Sequence, residues 1–200
     1  MIITIRFSFD ILKIMNRVVL LHGNGGGSGN DNWFPYIKNG LKKIGIECIA
    51  PDLPDPVLSR AKYWLPYFKE TLNIGENDIV VGHSSGALSI LKYAEKNKLG
   101  ASILVGTYYT DLGYENERTS GYFDTPWDWD AIKSNQQWTA IYASEDDPYI
   151  PIEEPKYIRD KLGSEYIELE NEGHFGGTIT KLEFPELLDF LTKKLRPARI

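Results

Sequence analysis

Two hundred residues with 42% hydrophobic content form a chain long enough to bury a full core in one domain. A net charge of −6, with Lys and Arg scattered, argues against nucleic acid or an anionic membrane surface as the main partner. The single cysteine, Cys48, excludes an intramolecular disulfide framework and fits a reducing, cytoplasmic location, and no apolar run is long enough for a membrane span.

Residues 1–14 are apolar in parts, but Arg6, Asp10 and Lys13 interrupt them and no small-residue cleavage site follows, so they make a poor signal peptide. Met15 stands just before a natural first strand. We read residues 1–14 as an appended or mis-started extension, disordered or adding an edge strand, and 15–200 as a single domain. The first strand, Arg17 to Leu21, runs into a glycine-rich loop, His22 to Gly29. Phe34, Ile37 and Leu41 share one helical face, with Asp31 as its expected N-cap and Gly45 as its stop. Ile46 to Ala50 reads as a second strand, and Ser59 is expected to cap a helix reaching about Leu72, broken or kinked at Pro66.

Ile79 to His83 is a buried strand, and Ala87 to Ala94 a helix with apolar residues at helical spacing. Ala101 to Val105 and Trp138 to Ala143 are further strands, separated by a polar, aromatic, irregular stretch over 106–137. A helix over 152–162, a strand over Glu165 to Leu169 and an amphipathic helix from Leu182 to Leu195 complete the chain. Short apolar strands alternating with helices predict a mostly parallel α/β sheet with helices on both faces and its ligand at the carboxyl ends of the strands. The order of the strands is not readable.

Between the third strand and its helix stands Gly82-His83-Ser84-Ser85-Gly86, the G-x-S-x-G pattern of a nucleophile elbow in the strand–turn–helix context that it requires. Taken alone the pattern is weak, with a roughly 5–10% chance of arising at random in a chain of this length. Its weight depends on a base, an acid and an oxyanion hole elsewhere. A serine hydroxyl needs a base to take its proton, and the chain has three histidines. His83 is adjacent to Ser84 and diverges from it. His22 ends the first strand and is expected to support the neighbouring loop. His174 lies in a glycine-flanked loop after the last strand, where an α/β-hydrolase carries its base.

The acid should follow the penultimate strand, where Asp146 and Asp147 both stand. Asp147 is preferred because it precedes Pro151 by four residues. The order Ser84, Asp147, His174 is that of the α/β-hydrolases and differs from the other two well-known serine-protease orders. For the oxyanion hole, the backbone N–H of Ser85 is one expected donor, and Asn24 or Gly25 in the loop after the first strand supplies the other.

These residues resemble the retinoblastoma-binding protein 9 family of small serine hydrolases. The resemblance spans about Arg17 to Leu195. It is carried by His22 to Gly27, Gly82 to Ala87, Asp111-Leu112-Gly113, Glu115 to Arg118, Ser120 to Phe123, Pro126-Trp127, Asp146-Asp147-Pro148 and Gly173-His174-Phe175. It implies the α/β-hydrolase fold, which at 200 residues is expected to be compact and without a large lid, and Ser84, Asp147 and His174 as nucleophile, acid and base. The family's vertebrate namesake also carries an L-x-C-x-E segment proposed to dock on the retinoblastoma pocket. Here Leu72-Asn73-Ile74-Gly75-Glu76 places Ile74 where cysteine belongs, so that partnership is not expected.

The expected function is hydrolysis of a small ester, amide or peptide-like bond through an acyl-enzyme, with Tyr108, Tyr109 and Trp127 as expected pocket residues. The alternative is an interaction module that keeps the fold without catalysis. A dinucleotide fingerprint is a weaker reading of the glycine-rich loop. Gly23 and Gly25 fit its first two glycines and Asp52 mimics the ribose-binding acid, but Ser28 occupies the third glycine position. No cofactor is therefore expected, and no cluster has metal-ligand spacing.

Overall fold

A computed structural model describes residues 15, 17–177 and 180–195. The expected extension, 1–14, lies outside the described residues. Six strands form one parallel sheet in the order β2-β1-β3-β4-β5-β6, where β1 is Arg17–Leu21, β2 Glu47–Ile49, β3 Asp78–His83, β4 Ala101–Val105, β5 Thr139–Ser144 and β6 Glu165–Leu169. Alternate residues of each strand face opposite sides, so one strand feeds two cores. Val18 and Leu20 of β1 join Ile79 and Val81 of β3 beneath α1 (Phe34–Lys43) and α7 (Pro185–Leu195). Val19, Leu21 and Val80 face α2 (Ala61–Pro66), α3 (Ser85–Ala94), α5 (Trp129–Ser134) and α6 (Glu153–Leu162) on the other side. Because both faces are covered, β3 is buried at every residue, which is why these strands read as continuous apolar runs.

The helix starts differ from expectation. Asp31 spends its carboxylate on Ser28, accepting from its N–H and its hydroxyl at 2.7 Å each. The N-cap position of α1 falls on Trp33, because Asn32 turns into the left-handed region at φ 48°. Ser59 also sits at positive φ and caps nothing; Asp55 accepts from the Arg60 N–H and guanidinium instead. Pro66 has no N–H for the helical ladder. The helix accommodates it by widening into a π-helical turn, Tyr67–Thr71. The irregular stretch contains two short helices, α4 (Glu115–Arg118) and α5.

The chain leaves β1 for the edge strand β2 and then returns to the other side of β1 as β3. The connections after β1 and β3 therefore part in opposite directions, opening a crevice at their carboxyl ends. That crevice holds the site. No helix among the described residues is long and apolar enough to cross a membrane.

Candidate active site

Ser84 sits between β3 and α3 at φ 56° and ψ −122°, a strained conformation for a residue with a side chain. Neighbouring backbones hold it there. Its N–H donates to the Val105 carbonyl at 2.9 Å, and its carbonyl accepts from Leu88 N–H at 3.0 Å. A Cβ on Gly82 would strike the backbone of Gly86 and Ala87, and one on Gly86 would strike the carbonyls of Leu21 and His22. Both glycines are thus required by close backbone approach. Ser84 opens onto a cavity of about 570 Å³, whose wall also includes His174, Asn24, Tyr108, Glu117 and Tyr149.

His174 follows β6, and its Nδ1 lies 2.7 Å from Oδ2 of Asp147, with both side chains largely buried. The other Asp147 oxygen accepts from the N–H groups of Tyr149 and Ile150 at 2.9 and 3.1 Å, which fixes the carboxylate plane. Asp146 faces elsewhere. Its Oδ1 accepts from the Ser144 hydroxyl at 2.5 Å and the Gly173 N–H at 3.0 Å, so it anchors the loop that carries His174. Hydrogen bonding to Ser144 holds the Asp146 pKa below the usual carboxylate range.

The other two histidines have structural contacts. His22 Nε2 accepts from Leu53 N–H at 3.0 Å, so its proton sits on Nδ1, 2.7 Å from the Gly23 carbonyl. It ties the loop after β1 to the loop after β2, and burial lowers its pKa. His83 reaches the His174 carbonyl, and burial followed by repulsion from His174 pushes its pKa down to about 3. His83 is therefore neutral at physiological pH.

Of the two candidates in the glycine-rich loop, Gly25 has its N–H engaged with the Val57 carbonyl at 3.0 Å, which leaves Asn24. Ser85 is the first residue of α3, where backbone N–H groups have no intrahelical partner and the helix dipole favours negative charge. Tyr108 lines the cavity, but Tyr109 and Trp127 do not. Tyr109 stacks on Tyr157 of α6 at 4.1 Å, and Trp127 donates its indole N–H to the Tyr109 carbonyl and stacks on Trp129. Both aromatic rings pack on the helical layer. Leu112, Tyr114, Asn116, Glu117, Tyr149 and Ile150 line the cavity without having been singled out. Glu117 lies within a stretch that resembles the family and Tyr149 directly follows one, but local patterning does not distinguish these side chains from surface residues.

The parallel sheet, the strained serine at the crevice and the imidazole–carboxylate pair define an α/β-hydrolase. A family model described as serine hydrolase matches residues 18–193, and the rat protein Serine hydrolase RBBP9 is 40% identical over 184 residues, covering 91% of this chain and 97% of its own. The chain belongs to this serine hydrolase family. The putative hydrolase YdeN of Bacillus subtilis is 28% identical over 194 residues, covering 90% of this chain and 98% of its own. The crystal structure of the ydeN product superposes with a TM-score of 0.81 at 26% identity, over 89% of this chain and 97% of that one. Est1E of Butyrivibrio proteoclasticus, solved with ferulic acid, shares the fold with a TM-score of 0.62 at 14% identity, over 94% of this chain and 89% of its own.

Proposed function

We propose that the chain hydrolyses a small carboxylic ester, amide or peptide-like bond through a covalent acyl-enzyme at Ser84. The observation that carries this reading is the 2.7 Å contact between His174 and Asp147 on the cavity that the strained Ser84 faces. In the proposed scheme Ser84 Oγ attacks the substrate carbonyl while His174 Nε2 takes the hydroxyl proton. Asp147 accepts from His174 Nδ1–H, keeping Nε2 free as base and stabilising the imidazolium. The carbonyl π electrons move onto oxygen, and the N–H groups of Ser85 and Asn24 receive the oxyanion. Collapse expels the alcohol or amine with the proton from His174. Water activated by His174 then attacks the acyl-enzyme and releases the acid. The scheme needs no cofactor.

Cys48 fits the cytoplasmic location that we propose. It is partly buried, and burial pushes its thiol up to about 12, so it is a poor nucleophile. Leu72 and Ile74 of the altered L-x-C-x-E segment are buried in the core, which supports leaving the retinoblastoma-type partnership aside. Treatment with a fluorophosphonate probe, read by intact mass, should add one label that Ser84→Ala abolishes. A folded protein that takes no label would overturn the acyl-enzyme reading and favour a non-catalytic interaction module.

A further inference from the structure

Glu117 is a buried carboxylate on the cavity wall that the hydrolytic scheme does not use. Its Oε1 accepts from Asn24 Nδ2 at 2.7 Å and Asn116 Nδ2 at 3.2 Å, and its Oε2 accepts from the Tyr108 hydroxyl at 2.7 Å. The Tyr108 oxygen lies 3.1 Å from Ser85 Oγ. A tyrosine hydroxyl has one proton, and here it goes to Glu117, so Ser85 must donate the second bond. The resulting path runs from Ser85 through Tyr108 to Glu117 and on to Asn24. Its two ends are the residues whose backbone N–H groups receive the oxyanion in the proposed scheme.

Burying a carboxylate among neutral donors is costly, and burial raises the pKa of Glu117. A negative charge on the cavity wall also repels a developing oxyanion. Any catalytic gain from Glu117 is therefore geometric. Asn24 lies between Gly23 and Gly25, where the backbone has more freedom than elsewhere. The loop beyond it is pinned by Gly25 and Gly26, which donate to Val57 and Pro56 carbonyls at 3.0 Å each. On the other side, the Gly23 carbonyl, which shares a peptide group with the Asn24 N–H, accepts from His22 Nδ1 at 2.7 Å, and the Asn24 side chain adds a further restraint whose anchor is Glu117.

We propose that Glu117 is a positioning residue that, through Tyr108, sets the two halves of the oxyanion hole relative to each other. The inference rests on the acyl-enzyme reading above. Glutamine at this position can keep the whole path without the charge. Its amide oxygen accepts from Asn24 and Asn116, and its NH₂ donates to the Tyr108 oxygen, whose own proton then turns to Ser85.

The test is steady-state hydrolysis of p-nitrophenyl acetate by wild type, Glu117→Ala, Glu117→Gln and Tyr108→Phe, with thermal melts of each. Acylation and deacylation both pass through an oxyanion, so kcat reports the hole whichever step limits. Glu117→Ala and Tyr108→Phe should each lower kcat about 10- to 100-fold, the scale expected for misplaced catalytic donors, with KM changed less than about 3-fold. Glu117→Gln should stay within about 3-fold of wild type in kcat, since it preserves the donor geometry. Where Glu117→Ala does not fold, Tyr108→Phe together with Glu117→Gln decides. A Ser84-dependent wild type with unchanged kcat in Tyr108→Phe and Glu117→Ala overturns this inference alone, as does a Glu117→Gln variant as impaired as Glu117→Ala. A wild type that neither turns over nor takes the fluorophosphonate label overturns the acyl-enzyme reading as well.

Discussion

The imidazole of His83 holds the main chain of His174: its Nε2 lies 2.6 Å from the His174 carbonyl oxygen, with the two ring centroids 4.9 Å apart. A carbonyl only accepts, so Nε2 carries the single proton of the neutral ring. The next residue is anchored too, because Trp33 donates its indole N–H to the Phe175 carbonyl at 3.0 Å. The loop bearing the proposed base is thus fastened from β3 and from the start of α1. His83→Ala removes a buried donor and leaves a void. We expect a loss of about 2–4 kcal/mol in unfolding free energy and at least about a tenfold loss in kcat. Urea titration and ester turnover check both.

Asp147 and Asp146 are adjacent but hold different parts of the site. Asp147→Asn should place an amide against His174 Nδ1, disfavour the required tautomer and lower kcat by about 10⁴-fold. Asp146→Asn should keep an acceptor for Gly173 N–H and Ser144, costing about 1 kcal/mol of stability and less than about tenfold in kcat. The comparison needs both variants at matched folded concentration. The reverse ranking would assign the acid to Asp146.

Gly106, just beyond β4, sits at φ 58°, and a Cβ there would lie 3.2–3.3 Å from the His174 ring. Gly106→Ala should cost about 1–2 kcal/mol for the left-handed conformation. It should also displace the imidazole by a few tenths of an ångström and reduce kcat/KM at least about tenfold. A melt and a burst experiment with p-nitrophenyl acetate separate these effects.

Acid should weaken the fold before carboxylates protonate. His83 and His22 are buried neutral, with their pKa values lowered mainly by desolvation, whereas both take a proton near pH 6.5 once unfolded. Below that value the unfolded chain binds more protons than the native one, so unfolding free energy falls as pH falls. The loss continues toward about pH 3 for His83. Urea titrations between about pH 7 and 5 should show this slope, and it should be shallower in His83→Gln. A flat profile in wild type would contradict the buried neutral assignment.

The α/β alternation was legible because covered parallel strands are short and apolar while the helices repeat every three to four residues. The elbow was legible because its steric demand is local: the backbone crowding at Gly82 and Gly86 leaves a mark within five residues of sequence. Caps were less so. Asp31 and Ser59 have suitable side chains, but turns at Asn32 and at Ser59 itself start the helices elsewhere. The aromatic stretch was hardest, because Tyr108 and Tyr109 are neighbours with opposite destinations. Tyr108 turns to Glu117 and Ser85 on the cavity, while Tyr109 turns to Tyr157 on α6.

By itself the sequence determined the fold class, the serine turn and the chain order of Ser84, Asp147 and His174. Those depend on burial periodicity and short-range sterics, which are written in neighbouring residues. Only the tertiary structure decided the strand order, which aspartate meets the imidazole, and that Glu117 joins Asn24 to Tyr108. The His174–Asp147 contact spans 27 residues and the Asn24–Glu117 contact spans 93. At such separations a partner is selected by the packing of the sheet and its helices, because local backbone preference has no hold on which side chains finally meet.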